Sequence, residues 1–443
     1  MRTVPNGAVL ARRVFTMSRE NEFFTEKELQ MQLGHPKREW RSSIMKELID
    51  NALDACEVAD IQPKILVEDN AEGLSVEDNG PGIPVSTIKK SMDYLVRVSD
   101  KQCYVSPTRG QMGNALKCVW AAPYVYFGQA EREIVVECRG QRQVVTTSLD
   151  RIAQKPKMSI SSSPSPVKNG TKVTVSWPQS ATLEAEEDSY SYNPPLITPA
   201  ELVSHYALFN PHATFHFGDK IYAATLPAWS KWRTDFPTSA HWYNEFQLRD
   251  LIAAYILVGR HDRSKAKTVR EFVTEFRGLA GSAKGAAVTK GFKGVYLHDL
   301  AKDNDIDMDA LTTLLTAMKK NSFPVKGYQL GLIGEDHLKA WAEVNVVVVP
   351  TSWQYFKRQG IDDKDGLPFV VEIVFALKAD TEKGRRSVIT GMNWTPSIGT
   401  PCEEISEVIG TQRVGENKPV LQIIHMVKPK FPFTDRGKTR LEL

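Results

Sequence analysis

The chain has 443 residues, 42% of them apolar and 25% charged, which is length enough for two or three domains with their own cores and excludes an intrinsically disordered chain. The 56 Lys and Arg against 53 Asp and Glu leave a formal charge of +3, so whole-chain charge makes no case for nucleic acid and any such case must come from a local patch. Cys56, Cys103, Cys118, Cys138 and Cys402 form no CxxC pair and show no zinc site; the absence of a signal-peptide core in MRTVPNGAVLARRVF, with no apolar run longer than a strand-sized one near Val344 to Val349, predicts a reduced, cytoplasmic chain without a membrane span.

Residues 37–59, KREWRSSIMKELIDNALDACEVA, place Trp40, Ile44, Leu48, Ala52 and Ala55 at three- and four-residue steps, which predicts a helix with one apolar stripe. Glu47, Asn51 and Asp54 form a second stripe beside it. The segment ILVEDNAEGLSVEDNGPGIP (65–84) then contains Val-Glu-Asp-Asn twice, at 67–70 and 76–79. The first copy runs into Ala71-Glu72-Gly73, a link of hairpin length, and the second into Gly80-Pro81-Gly82. Two short strands are expected, with Leu74, Val76 and Asp78 on one face and Ser75 and Glu77 on the other, so Asp78 is aimed with the apolar residues. A helix around 85–98 precedes the glycine-containing loop of TRGQMGNALKCVWAAPYV (108–125). EIVVECRG and GTKVTVSW read as strands, separated by a Ser/Pro-rich loop at 159–167. A Pro- and aromatic-rich stretch near 226–243 marks a boundary, 245–325 reads mainly helical, and 326–443 returns to strands such as PFVVEIVFALK and PVLQIIHMV. The acidic DNDIDMD at 303–309 reads as the opening of the helix ALTTLLTAMKK rather than as a metal-binding DxD.

Four pieces carry chemistry: Glu47-xxx-Asn51-xx-Asp54-Ala55, Asp78-x-Gly80-x-Gly82, Gly110-xx-Gly113 and Gly170-Thr171. Singly each is weak, since a helical Glu/Asn/Asp face is more often solvated than catalytic and DNGPG is more often a turn than a site. In this order and spacing they resemble the GHKL ATPases: type II topoisomerase ATPase subunits, MutL, heat-shock-90-type chaperones and histidine kinases. The resemblance implies an α/β (α+β) sandwich of the Bergerat type that binds ATP with Mg2+. Glu47 would act on the attacking water, Asn51 would ligate the metal, and Asp78, assisted by Thr171, would meet the adenine amino group. Asp54, Gly80, Gly82, Arg109, Gly110, Gln111, Met112, Gly113 and Asn114 would line the nucleotide.

The chemistry agrees with these roles. Hydrolysis of ATP needs a group that orients water, a magnesium site and donors that hold the phosphates, and an amide oxygen is a hard ligand suited to magnesium. A carboxylate on an apolar strand face is costly to bury unpaired. Glycines let backbone approach a ligand closely, and amides at a helix start meet anionic oxygens. One departure is Asn114-Ala115, where many members carry the last glycine of GxxGxG.

Beyond these motifs, NEFFTEKELQMQLGHPKREWRSSIMKELIDNALDACE, RGQMG, HYALFNPHATFHF, TVREFVTEFRGLAGSAKGAAV, GLPFVVEIVFALKAD and KFPFTDRGKTRLEL resemble the B subunit of topoisomerase VI. That implies an ATPase domain over 1–226, an insert of helix–two-turn–helix type over 227–325, and a transducer-like domain over 326–443 whose Lys438 reaches the γ-phosphate. It further implies a homodimer that forms on ATP binding and clamps duplex DNA, nucleoid-associated in a bacterium or archaeon, with a separate topoisomerase A-like or nuclease-like partner. Between Arg260 and Lys293 there are nine Lys/Arg (Arg260, Arg263, Lys265, Lys267, Arg270, Arg277, Lys284, Lys290, Lys293) against Asp262, Glu271 and Glu275, a local +6 that either meets phosphates or is a solvated face. The alternative, from another class, is a nucleotide-gated scaffold or sensor in a DNA-repair or anti-phage complex without strand passage. A histidine kinase is disfavoured because no phospho-acceptor helix or membrane sensor is present.

Overall fold

The computed structural model describes residues 19–94, 103–109, 115–153, 155–177, 196–303, 305–379, 385–401 and 417–434, with 405, 415, 440 and 441. Its first half is one large sheet: β1 (Lys64–Asp69), β2 (Gly73–Asp78), β3 (Glu133–Cys138), β4 (Gln141–Asp150), β5 (Lys155–Pro164), β6 (Thr171–Ser176), β7 (Thr214–Phe217) and β8 (Lys220–Tyr222) lie in the order β5-β4-β3-β6-β2-β1-β7-β8. Every pairing is antiparallel except β1 with β7. Among the described residues its helices are α1 (Glu26–Leu33), α2 (Trp40–Val58), α3 (Val85–Ser91), α4 (Ala115–Tyr126) and α5 (Pro199–Phe209). Of these, α2, α4 and α5 pack on one face of the sheet and α1 packs on α4.

Strand alternation explains this two-layer form. Ile65, Val67, Leu74, Val76, Ile134, Val136, Val173 and Val175 point to the helical face and are buried with Ile44, Leu48, Val119 and Trp120. Apart from Leu66 and Val135 the intervening residues are polar, and on that side Lys172 pairs with Glu68 at 3.0 Å. The Ser/Pro-rich stretch expected as a loop is in part a strand, because Lys155–Pro164 runs antiparallel to β4 along the edge of the sheet. Its serines are tolerated there because the edge is solvated and their hydroxyls find cross-strand partners, Ser162 donating to Gln143 at 2.6 Å. Pro164 sits at the end of this edge strand, where its missing N–H does least harm.

The second half opens with α6 (Glu245–His261), α7 (Val269–Thr274), α8 (Ser282–Val288), a short ribbon of β9 (Ala301–Lys302) and β10 (Asp305–Ile306), and α9 (Met308–Asn321). Asp307 caps α9 by accepting from the amides of Asp309 and Ala310, both at 3.0 Å, as the sequence predicts for this acidic run. After α10 (Glu335–Asn345) come β11 (Gln354–Ile361), β12 (Pro368–Leu377), β13 (Ser387–Met392), β14 (Thr395–Pro396) and β15 (Val420–Val427), in the sheet order β11-β12-β15-β13-β14. The apolar run 344–349 is not a strand. It ends α10, where the amides of Val346 and Val347 both donate to the Ala342 carbonyl, at 2.9 and 3.1 Å, and Val347 turns the chain with φ 56°. No helix among the described residues is long and apolar enough to cross a membrane.

Among the described residues two large apolar cores result, beside a small cluster of Met426, Phe431 and Leu441. One fills the sandwich, and the other joins the helices of 245–321 to the five-stranded sheet and also takes in Val105, Leu208 and Phe209. Helix α5 therefore starts in the first core and ends in the second. The Phe209 ring stacks on His425 with centroids 5.4 Å apart, and a Cβ on Gly391 would lie 2.7 Å from that ring, so only glycine leaves it room. We expect Phe209→Ala to destabilise the protein by about 3–5 kcal/mol and to separate one denaturant transition into two. A parent-like midpoint in urea would show that the ring does not couple the two cores.

Candidate functional site

The last residue of β2, Asp78, lies opposite Thr171 in β6. It is 8% exposed. Backbone amides meet it where a cation would be expected: Gly80 donates to its Oδ1 at 2.7 Å and Thr171 at 3.2 Å. Burial pushes its carboxyl up from an ordinary 3.8 to about 6, against the lowering effect of those two amides and the Thr171 hydroxyl. The loop holding it is closed by contact. The Gly170 amide donates to the Gly80 carbonyl at 2.9 Å, and a Cβ on Gly170, whose φ is +76°, would fall 1.8 Å from the Asp78 carbonyl oxygen. A Cβ on Gly80 would lie 2.9 Å from Asp78 Oδ1 and 3.4 Å from Cys56 Sγ, which sets this loop against the C-terminal half of α2. Gly82, also at positive φ, lies beside Arg139 and Gly170. The first Val-Glu-Asp-Asn copy is different: its Asp69 is met by the Arg41 guanidinium.

Helix α2 carries two adjoining polar stripes that meet different surroundings. Asn51 is exposed and Glu47 half-buried, the Glu47 side chain being 29% accessible with Lys46 at 3.9 Å. Asp50, Asp54 and Glu57, at i, i+4 and i+7, are buried. Asp50 accepts from the Tyr206 hydroxyl at 2.8 Å and the Thr395 hydroxyl at 2.9 Å, with Lys46 Nζ at 3.2 Å. Arg109 donates to Asp54 at 3.1 Å and to Glu57 at 2.8 Å, and bonds the Asn210 side chain. Glu57 also takes Lys231 at 2.7 Å and His212 at 2.9 Å. Burial pushes Glu57 up, but Arg109, Lys231 and His212 outweigh it and hold its carboxyl well below the usual range. Burial and the nearby Arg109 charge push Lys231 down to about 8.

The structure thus brings Asp78, Gly80, Gly82 and Thr171 together beside α2, which carries Glu47 and Asn51. It joins Asp54 and Arg109 to each other and to Glu57. Gly110, Gln111, Met112, Gly113, Asn114 and Lys438 lie outside the described residues. Sequence reasoning missed Asp50, Glu57, Tyr206, Asn210, His212, Lys231 and Thr395. The signal for the first two was present in α2 as a second acidic stripe at helical spacing; their partners come from four distant segments and carry no local mark.

Residues 39–181 match the family described as histidine kinase-, DNA gyrase B-, and HSP90-like ATPase. The B subunit of type 2 DNA topoisomerase 6 from Archaeoglobus fulgidus is 23% identical over 421 residues, covering 89% of this chain and 65% of that one. Its counterpart from Sulfurisphaera tokodaii is 23% identical over 452 residues, covering 96% and 79%. The Natronomonas pharaonis counterpart is 47% identical over 73 residues, 16% of this chain and 9% of that one. Among solved structures, the ATPase region of Saccharomyces cerevisiae topoisomerase II aligns over 90% of this chain and 76% of that one, with 13% identity and a TM-score of 0.35. The N-terminal domain of a DNA repair protein aligns over 92% and 90%, with 11% identity and a TM-score of 0.37.

A carboxyl raised by burial binds its proton more tightly in the folded state than in the unfolded one. Its ionisation therefore removes stability as pH climbs from about 4 to about 6. Asp78→Asn keeps the acceptor for both amides and deletes the charge. We expect the variant to match the parent at pH 4 and to be more stable by about 1–3 kcal/mol at pH 8. Thermal melts at the two pH values check this, and equal midpoints at pH 8 would contradict it.

Proposed function

Because the domain holding this site, residues 39–181, belongs to the histidine kinase-, DNA gyrase B-, and HSP90-like ATPase family, we propose that the chain binds and hydrolyses ATP in the manner of a topoisomerase VI ATPase. In this reading it closes with a second copy around duplex DNA and leaves strand cleavage to a separate topoisomerase A-like or nuclease-like partner. The observation that carries the nucleotide part is the buried Asp78 carboxylate, met at Oδ1 by backbone amides and, among the described residues, by no cation. Such a group keeps an acceptor for an N–H donor from a ligand, and the adenine amino group supplies one. Gly80 and Gly82 give the base room beside it.

Glu47 orients the attacking water, and Asn51, exposed one helical turn further on, offers its amide oxygen to Mg2+. Among the described residues no group of three His, Cys, Asp or Glu side chains could hold a metal by itself. Magnesium rests mainly on phosphate and water oxygens with few protein ligands, so this reading asks only one amide oxygen of the chain. Gly110 to Asn114 supply amides to the phosphates, and Lys438 reaches the γ-phosphate from the C-terminal domain, stabilising charge as hydrolysis proceeds. The DNA part is supported by the helical insert, where Arg260, Arg263, Lys265, Arg270, Lys284, Lys290 and Lys293 are all exposed.

Glu47→Ala is expected to keep ATP affinity while lowering turnover by about 10²–10⁴. Lys438→Ala should bind ADP as the parent does and hydrolyse ATP about 10²-fold or more slowly. Parent-like steady-state turnover in either variant would remove that residue from the reaction. Duplex affinity, followed by fluorescence anisotropy, should be tolerant of sequence and fall by at least about tenfold between about 50 and 200 mM salt, as backbone contacts release counterions. A flat salt response with parent-like ATPase would favour a nucleotide-gated scaffold that does not grip DNA.

A further inference from the structure

Residues 103–109, which lead into the glycine loop, are tied at one end to α2 and at the other to the helical insert. Arg109 makes the first tie through Asp54 and Glu57. At the other end the Val105 amide donates to the Tyr243 hydroxyl at 2.9 Å, the Thr238 hydroxyl donates to the Val105 carbonyl at 2.8 Å, and the Val105 side chain is buried in the insert's core. Tyr104 continues outward. Its hydroxyl bonds that of Tyr255 on α6, Tyr255 donates to Glu275 Oε2 at 2.5 Å, and Glu275 Oε1 takes Lys267. Lys267 Nζ also lies 4.7 Å from the centre of the Tyr255 ring.

The proton order of this chain is fixed by its ends. An ionised Glu275 only accepts, so Tyr255 spends its one hydroxyl proton on Glu275 and Tyr104 must donate to Tyr255. Each bond in the series then depends on the next, and Lys267 supplies the charge that holds the carboxylate in place. Lys267 has 32% of its side chain accessible and Glu275 35%. They sit in the segment that exposes Arg263, Lys265 and Arg270 to solvent. A phosphate reaching this surface competes with Glu275 for Lys267 and repels the carboxylate it displaces. The Tyr255 hydroxyl then loses the geometry by which it holds Tyr104.

We propose that Lys267, Glu275, Tyr255 and Tyr104 form a positioning relay through which a phosphodiester backbone bound at the insert resets residues 103–109 and so changes nucleotide affinity. The inference rests on the DNA-clamp reading above. It adds a specific route for coupling, and linkage makes the route reciprocal: nucleotide must alter duplex affinity by the same factor.

The test uses the full chain, a short linear duplex and a non-hydrolysable ATP analogue, with Tyr104→Phe and Tyr255→Phe as variants and thermal melts to confirm that each folds. For the parent, saturating duplex should shift the analogue's Kd by about fivefold or more. In both variants the duplex Kd and the analogue Kd measured alone should stay within about twofold of the parent, while the duplex-dependent shift falls below about twofold. The relay is overturned if folded variants keep the full shift, or if the parent binds duplex and analogue with no mutual effect. A parent that binds no duplex, or no analogue, overturns the clamp reading together with the relay, so the two failures are distinct. If a tyrosine variant does not fold, Lys267→Met takes its place and must lose the shift while still binding the analogue.

Discussion

The burial of three carboxylates along one face of α2 sets terms for much of the molecule. Asp50, Asp54 and Glu57 are each below a tenth exposed, and an ion left unpaired at such depth costs several kcal/mol. The helix therefore holds its place only if cations and hydroxyls arrive from elsewhere. They come from the approach to the glycine loop (Arg109), the end of α5 and its following turn (Tyr206, Asn210, His212), the aromatic stretch after β8 (Lys231) and the strand β14 (Thr395). Even the Asn210 amide serves this junction, donating to the carbonyls of Tyr206 and Trp394. The sandwich and the C-terminal sheet are thus joined by a shared electrostatic need as well as by apolar packing.

Against that background Asp78 stands out, among the described residues, as the buried carboxylate with no cation as a partner. Asp69, in the same repeated tetrapeptide, receives Arg41, and Glu372 in the second sheet receives His425 together with the amides of Ile333 and Gly334. Those acids are settled by the protein's own groups. Burial raises the Asp78 carboxyl to about 6 and the amides of Gly80 and Thr171 meet it, and the proposed adenine contact rests on this acceptor.

Where pattern and physics agree locally, the sequence was readable. The apolar stripe of α2, the alternation of β2 that aims Asp78 inward, the capping of α9 by Asp307 and the helical run after 245 all appear as expected, because each depends on neighbours within a few residues. One reading failed for a physical reason: serines hid the edge strand β5, since a solvated edge does not need apolar alternation. The stripe read as Glu47, Asn51 and Asp54 proved to straddle two environments, with Asn51 in solvent and Asp54 against Arg109. Helical spacing gives the side of a helix on which a residue lies; what packs on that side depends on residues far along the chain, such as Arg109, Lys231 and Thr395, which no local pattern encodes.

The placement of Phe209 and of the α2 acids bears on how this chain can be subdivided. Although residues 39–181 carry the family match, a fragment ending near residue 226 would present an aromatic ring lifted out of its socket against His425 and Gly391. It would also leave Glu57 without Lys231 and Asp50 without Thr395. Glu57 would keep Arg109 and His212, and Asp50 would keep Tyr206 and Lys46, so the cut strips these acids of their cross-core partners while the bared Phe209 ring is the larger exposure.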